Sequence, residues 1–208
     1  MSGRYDVLRI RDFRLALLTR AFDGLANQML GVAVAWLVFQ LTHAPLPLGL
    51  IGLAEGLPFM AAALWAGRLA DTGEKSRLIA LGQAGVLSAA LGFVLLAREP
   101  RPPLALVYLL MAWGGFCRSF QWASMTSYIQ LVVPREDFPK AAAWSTGVFQ
   151  AATIAGPALG GAVYALWGAE ACFRLVALCF LAAAACAARM GALEVSAGGE
   201  ARGLASFL

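Results

Sequence analysis

The chain has 208 residues, of which 61% are hydrophobic and 13% charged, with a formal net charge of +4 and a mean hydropathy of +0.73. That apolar share is too high and that charge share too low for an ordinary soluble domain, so a water-soluble globular enzyme is excluded and an integral membrane protein is implied. The basic residues are scattered over short loops, with no basic, aromatic-bearing domain among them, which also excludes a nucleic-acid binder.

Residues 1–14 read as an N-terminal cytoplasmic segment carrying Arg4, Arg9, Arg11 and Arg14. The first apolar stretch, about Leu15 to Leu41, is longer than a signal-peptide core, contains Arg20 and Asp23, and lacks the usual small-residue cleavage site, so it is a span that stays. Further spans follow at about Leu46–Ala70, Leu78–Ala97, Leu104–Val133, Ala141–Leu166 and Phe173–Ala188, bounded by charges, prolines or glycine-containing turns. Runs of this length cross about 30 Å of hydrocarbon as helices, and none alternates as a barrel strand does. The expected fold is an all-α membrane protein whose six transmembrane helices form one bundle over 15–188. After Arg189 the composition turns to Gly, Ala, Ser and Glu, so 189–208 read as a cytoplasmic linker that stops unfinished.

Charge distribution sets the expected orientation. With the N-terminus inside, Arg4, Arg9, Arg11, Arg14, Arg68, Lys75, Arg77, Arg135, Lys140, Arg189 and Arg202 collect on the cytoplasmic side, against Arg98, Arg101 and Arg174 outside. The loops are short, so no soluble catalytic domain is inserted between spans. Cys117, Cys172, Cys179 and Cys186 all fall within spans, form no C-x-x-C pair and have the single His43 for company, so no metal site, disulfide or cofactor is expected. The seven-residue recurrence of the last three cysteines reads as packing by small residues.

Ionised groups inside hydrocarbon cost at least about 2–3 kcal/mol, so intramembrane charges mark a hydrated path or a partner. On the first helix, Arg20, Asp23, Gly24, Asn27 and Gly31 share one sector and should point inward. Asp23 lies about 15 Å beyond Phe13 along the axis, close to the bilayer centre, whereas Arg20 is shallow enough to snorkel or to pair with Asp23 one turn on. On the fourth helix Arg118 and Gln121 lie one turn apart at a similar depth, so Arg118 could meet Asp23 across a cavity and hold it ionised until a substrate or proton competes. Glu55, three residues before Pro58, is the rival proton carrier, or else serves only to satisfy backbone groups freed by the proline. Asn27, Gln121 and Gln150 are the candidate substrate-cavity hydrogen-bonding groups.

Motifs add a resemblance. Gly67-Arg68-Leu69-Ala70-Asp71-Thr72-Gly73-Glu74-Lys75-Ser76-Arg77 resembles the signature loop of the major facilitator superfamily, in which Gly, any residue, Leu, Ala, Asp, Arg, any residue and Gly precede two basic residues. Gly67, Leu69, Ala70 and Asp71 match; Thr72 replaces the usual arginine, and Glu74 is familiar in the branch that includes the enterobactin exporter and the transmembrane secretion effectors. Trp36 to Thr42 and Leu48 to Glu55 are similar to the same branch, and Gly156-Pro157-Ala158-Leu159-Gly160-Gly161 resembles the tail of the superfamily's antiporter motif, with Ala152 where an earlier glycine is usual. Arg118 sits where the superfamily often places a buried arginine tied to proton coupling. Trp122 stands where glycine is common, which narrows the expected cavity.

The resemblance covers Phe13 to Met190 and implies the N-terminal half, a 3+3 inverted repeat, of a two-half transporter whose substrate binds near the midplane. It implies a proton-coupled antiporter in a bacterial inner membrane that exports a small amphiphilic, drug- or siderophore-like molecule. Asp23, Arg118, Glu55 and Arg20 would serve proton coupling, and Gly67, Asp71, Lys75 and Arg77 would serve as a cytoplasmic gating loop. Gly156, Pro157, Gly160 and Gly161 would form a helix-packing hinge. A missing C-terminal half, a separately encoded half or a second copy would complete the cavity, because polar groups on the inner face cannot stand against lipid. Two rivals remain. A six-span intramembrane protease lacks a catalytic constellation, since His43 has no serine partner in a recognisable motif, so no catalytic residue is expected. A non-transporting membrane scaffold or sensor is the alternative for a chain of this length.

Overall fold

The computed structural model describes residues 6–72 and 74–191, with the side chains of Asp6 and residues 70–72 outside the description. Every regular element among the described residues is helical. After a 3₁₀ turn at Asp6–Arg9 come α1 (Arg11–Thr42), α2 (Pro45–Thr72), α3 (Lys75–Leu96) and α4 (Leu104–Val132), then a 3₁₀ turn at Arg135–Asp137 and a last helical run, Phe138–Ala187. That run is broken at Gly168, whose φ of 82° and ψ of 178° lie in a region open essentially to glycine alone. We label residues 138–167 α5 and residues 169–187 α6.

The chain reverses at that glycine. Along α5, Ala152 meets Gly24, Gly156 meets Gln28, Gly160 meets Met29 and Tyr164 meets Gln40, so α5 runs parallel to α1. Along α6, Phe173 stacks on Phe93 at 5.3 Å, Thr19 lies 3.5 Å from the Ala183 carbonyl, and the Gly191 N–H donates to Asp12 at 3.3 Å. The second limb therefore returns to the end where α1 begins. The other positive-φ position among the described residues is His43, in the left-handed region at φ 49°, whose N–H closes α1 on the Phe39 carbonyl at 2.8 Å.

Among the described residues, four helical stretches are long and apolar enough to cross a bilayer: Arg11–Thr42, Pro45–Leu69, Lys75–Leu96 and Arg135–Ala187. Six spans are expected from the sequence. The difference has two sources. The fifth and sixth fall within one helical run, and α4, though 29 residues long, carries Arg118, Ser119, Gln121 and Ser124 along its middle. The signature segment is also less of a loop than its sequence suggests, because α2 continues to Thr72 and α3 starts at Lys75.

Helix pairing follows small residues. α1 packs chiefly on the last helical run, α2 on α4, and α3 on both α4 and the last run. A Cβ on Gly115 of α4 would fall 2.2 Å from the Glu55 carbonyl oxygen of α2, and one on Gly82 of α3 would fall 2.9 Å from Gln121 Cβ. With lipid tails as apolar as leucine, such close backbone approach gains dispersion contact and is the usual source of helix association in membranes. Cys117 fills the notch opposite Gly85, a packing role that its apolar surroundings suit.

Two apolar clusters result. One holds Phe13, Leu17, Ile79, Met125 and Tyr128 near the chain start. The other holds Met29, Val86, Phe93, Phe173 and Phe180 toward the opposite end. Outside them, α2 shows Leu50, Leu53, Leu57, Met60 and Leu64 as an exposed apolar stripe, suited to hydrocarbon or another helix.

The neighbouring glycines of α5 give a direct test. Gly160→Ala puts a methyl 2.9 Å from the Met29 backbone, whereas Gly161→Ala enters open space. Gly160→Ala should cost about 1–3 kcal/mol of unfolding free energy, by analogy with other overpacked sites, and Gly161→Ala less than about 0.5 kcal/mol. Denaturant unfolding in mixed micelles reads both; equal losses would show that the α1–α5 contact is not set at Gly160.

Candidate functional site

A polar layer crosses the bundle between the two apolar clusters. In α1, Asp23 falls between Leu17 and Ala26; in α3, Gln83 falls between Ile79 and Val86; in α4, Arg118 and Gln121 fall between Met111 and Met125. Each helix thus contributes its polar residues at one level, and the packing contacts above and below hold them there.

Arg118 is the hub. Its Nη2 lies 2.5 Å from Glu55 Oε1 of α2, its Nη1 donates to Asn27 Oδ1 of α1, and its guanidinium stands 5.9 Å from the centre of the Phe59 ring. One α4 side chain therefore ties three helices. The ion pair is partly screened, with Arg118 20% and Glu55 25% exposed, so one side of it faces outward from the bundle.

Asp23 is only 9% exposed. The amides of Gln83 and Gln121 lie beside its carboxyl group, and Gln121 Nε2 donates to Gln83 Oε1 at 2.8 Å. Asp23 Oδ1, Gln83 Nε2, Gln121 Oε1 and Ser124 Oγ are all buried without a hydrogen-bond partner among the described residues. Unmatched polar atoms in one buried layer are costly, at about 1–3 kcal/mol each, and such a cost is retained most readily where the groups have work to do.

Several expectations change. A direct Asp23–Arg118 contact is replaced by the Glu55–Arg118 pair, and Arg118 acts on Asp23 only through space. The cause is the Gly115 contact one turn earlier on α4, which draws the Glu55 turn of α2 against α4. Glu55 accordingly does not serve merely to satisfy backbone groups near Pro58. Arg20 does not pair with Asp23 either; it donates to Ser145 Oγ of α5 at 2.8 Å and lies 4.9 Å over the Trp122 ring. Trp122 in turn meets Phe149 edge-on at 5.7 Å. Gln150 is exposed and joins no hydrogen bond among the described residues, so it stands apart from the layer.

Of the remaining candidates, Gly156 and Gly160 press on α1 while Gly161 faces open space, and Pro157 is half-buried. Gly67 lies in α2 with nothing near it, Lys75 is buried at the first residue of α3, and Arg77, two residues on, is exposed. The Asp71 side chain lies outside the described residues. Sequence reasoning missed Gln83 and Ser145. Gln83 had a signal, as a lone amide in the middle of an otherwise apolar helix; Ser145 had none beyond its position on α5.

A family model described as transmembrane secretion effector matches residues 2–195. The enterobactin exporter EntS of Citrobacter koseri is 29% identical over 156 residues, 75% of this chain and 38% of that protein. EntS of Shigella dysenteriae serotype 1 is 28% identical over the same coverage, as is EntS of Escherichia coli O9:H4. The aligned part of the chain thus spans 38% of the length of these relatives.

The hub predicts a coupling energy. Glu55→Gln and Arg118→Gln should each lower stability by about 1–3 kcal/mol, because each leaves its partner charged and poorly solvated. The double variant should lose clearly less than their sum, with a coupling of about 1–2 kcal/mol in a double-mutant cycle. Additive losses would show that the pair holds nothing together.

Proposed function

The chain belongs to the transmembrane secretion effector family of the major facilitator superfamily, and we propose that it supplies the N-terminal half of a proton-coupled efflux transporter. In this reading α1 to α6 are six spans arranged as two inverted repeats of three. The N-terminus lies in the cytoplasm of a cell with this protein in its inner membrane. A second half packs against the exposed faces, including the apolar stripe of α2. The cargo is a small amphiphilic molecule, drug- or siderophore-like, in keeping with the name of the matched exporters.

The single observation that carries this reading is the Arg118 hub: one guanidinium bound to Asn27 on α1 and Glu55 on α2, beside a buried carboxyl group at Asp23. Such a group makes a proton-sensitive tie. When a proton reaches Asp23, the local field on Arg118 becomes more positive, and the guanidinium leans more fully on Glu55; when Asp23 ionises, Arg118 is shared between two carboxylates on different helices. Proton binding thereby alters the force between α1 and α2, which touch each other little. Gln121 offers hydrogen bonds to cargo on the same level, and Gln150 does so from the exposed face of α5. Arg20, held against Ser145 and Trp122, keeps positive charge on the cytoplasmic flank of Asp23. Gly67, Asp71, Lys75 and Arg77 control the cytoplasmic gate, and the Gly156-to-Gly161 segment is the hinge on which α5 rides against α1.

The test is a proton-driven efflux assay on the full-length protein in proteoliposomes. Asp23→Asn should abolish acceleration by an inward proton gradient while leaving downhill cargo exchange measurable. Coupling that persists unchanged in Asp23→Asn would reject the assignment.

A further inference from the structure

A second concavity lies away from the polar layer. It encloses about 570 Å³ and is lined by Val32, Trp36 and Gln40 of α1, Gly161 and Tyr164 of α5, and the Gly168 break, a size within the usual range for small-molecule sites. The α1 residues recur every four positions and so form one wall. Gly161 and Gly168 leave gaps in the facing wall, each with open space where a Cβ would stand. Trp36 is 54% exposed and meets Tyr164 edge-on at 6.3 Å and 68°. The Tyr164 hydroxyl donates to Gln40 Oε1 at 3.0 Å, which leaves the Gln40 amide nitrogen with no protein acceptor among the described residues.

We propose that this recess is an exit-side subsite for an uncharged, planar aromatic amphiphile, held by its ring on Trp36 and by a hydroxyl or carbonyl on the Gln40–Tyr164 pair. The assignment to the exit side rests on the efflux reading above. The ring class follows from the lining: an indole offers flat apolar area at low entropic cost, and the glycines give that ring room. The neutral class follows from charge. No ionisable side chain other than Tyr164 lines the recess. Of the three arginines at that end of the bundle, Arg98 and Arg174 both bind Glu170, at 2.9 and 2.5 Å, and Arg101 is not part of the lining. A phosphate headgroup finds no counter-charge among the lining residues, whereas a ring bearing one neutral polar group finds an amide donor and a hydroxyl acceptor.

Binding of 2-naphthol to the full-length protein in lipid nanodiscs, followed by saturation-transfer NMR with titration, tests the proposal. The wild type should bind saturably. Trp36→Ala should weaken binding by about tenfold, as loss of an aromatic anchor does, and Tyr164→Phe by about two- to fivefold, as loss of one neutral hydrogen bond does. Gly161→Leu should fill the recess and abolish binding while keeping a cooperative thermal transition, because a Cβ at that position meets no neighbour. Ile154→Ala, exposed elsewhere on α5, should leave binding unchanged. Wild-type affinity in Gly161→Leu would overturn the subsite, and so would absence of saturable binding. Complete displacement by added phospholipid would overturn it too, because a lipid would then be the occupant. Binding is read without a proton gradient, so failure here is separable from failure of proton coupling at Asp23.

Discussion

The structure depends on one constraint: polar side chains placed within hydrocarbon must find their partners inside the bundle. Arg118 meets that requirement by reaching across to α1 and α2 at once, and the two apolar clusters on either side fix the level at which it does so. Each carboxylate or guanidinium left alone at such a depth costs at least about 2–3 kcal/mol. The helices are therefore held in register by electrostatics as well as by packing. Glycine makes this possible. Without Gly115 the backbone of α4 could not come against the Glu55 turn, and the pair would be out of reach.

The same layer is incompletely satisfied, and its loose ends converge on Asp23. Gln83 and Gln121 spend one hydrogen bond on each other and retain a buried donor and a buried acceptor. A core selected only for stability would replace these groups by apolar ones, since a half-satisfied polar network is worse than none. Their presence beside a carboxyl group, in a family of membrane secretion proteins, fits a site where a proton or a cargo hydrogen bond comes and goes. Arg20 is arranged differently. Its partners are a hydroxyl and an aromatic face, so it contributes field without locking the carboxyl group in a salt bridge.

Much of the fold was legible because run length and charge placement are coarse, strong signals in a membrane chain. The helical class, the approximate limits of α1 to α4 and the inward placing of Asp23 and Gly24 could be read from run length and periodicity, whereas Gly31, expected on the same inward stripe, is exposed. The packing role of Gly156 and Gly160 could be read as well, though not the fact that Gly161 faces away. Partner choice was not legible. A helical wheel gives the face a residue occupies on its own helix, but not which neighbouring helix that face meets, so Arg118 was matched with Asp23 on depth alone and its pairing with Glu55 was not foreseen. The deciding feature is the Gly115 contact, visible only once α2 and α4 are placed together. Gln83 was passed over because α3 has no ionised group in its middle to mark a polar face.

The central claim is that Asp23, beside the Arg118–Glu55 tie, is the group that takes up a proton within the membrane. Infrared difference spectroscopy of the full-length protein during acidification measures this directly. A carbonyl stretch of a newly protonated carboxyl group should appear in the wild type and vanish in Asp23→Asn. A protonation band that survives unchanged in Asp23→Asn would contradict the account.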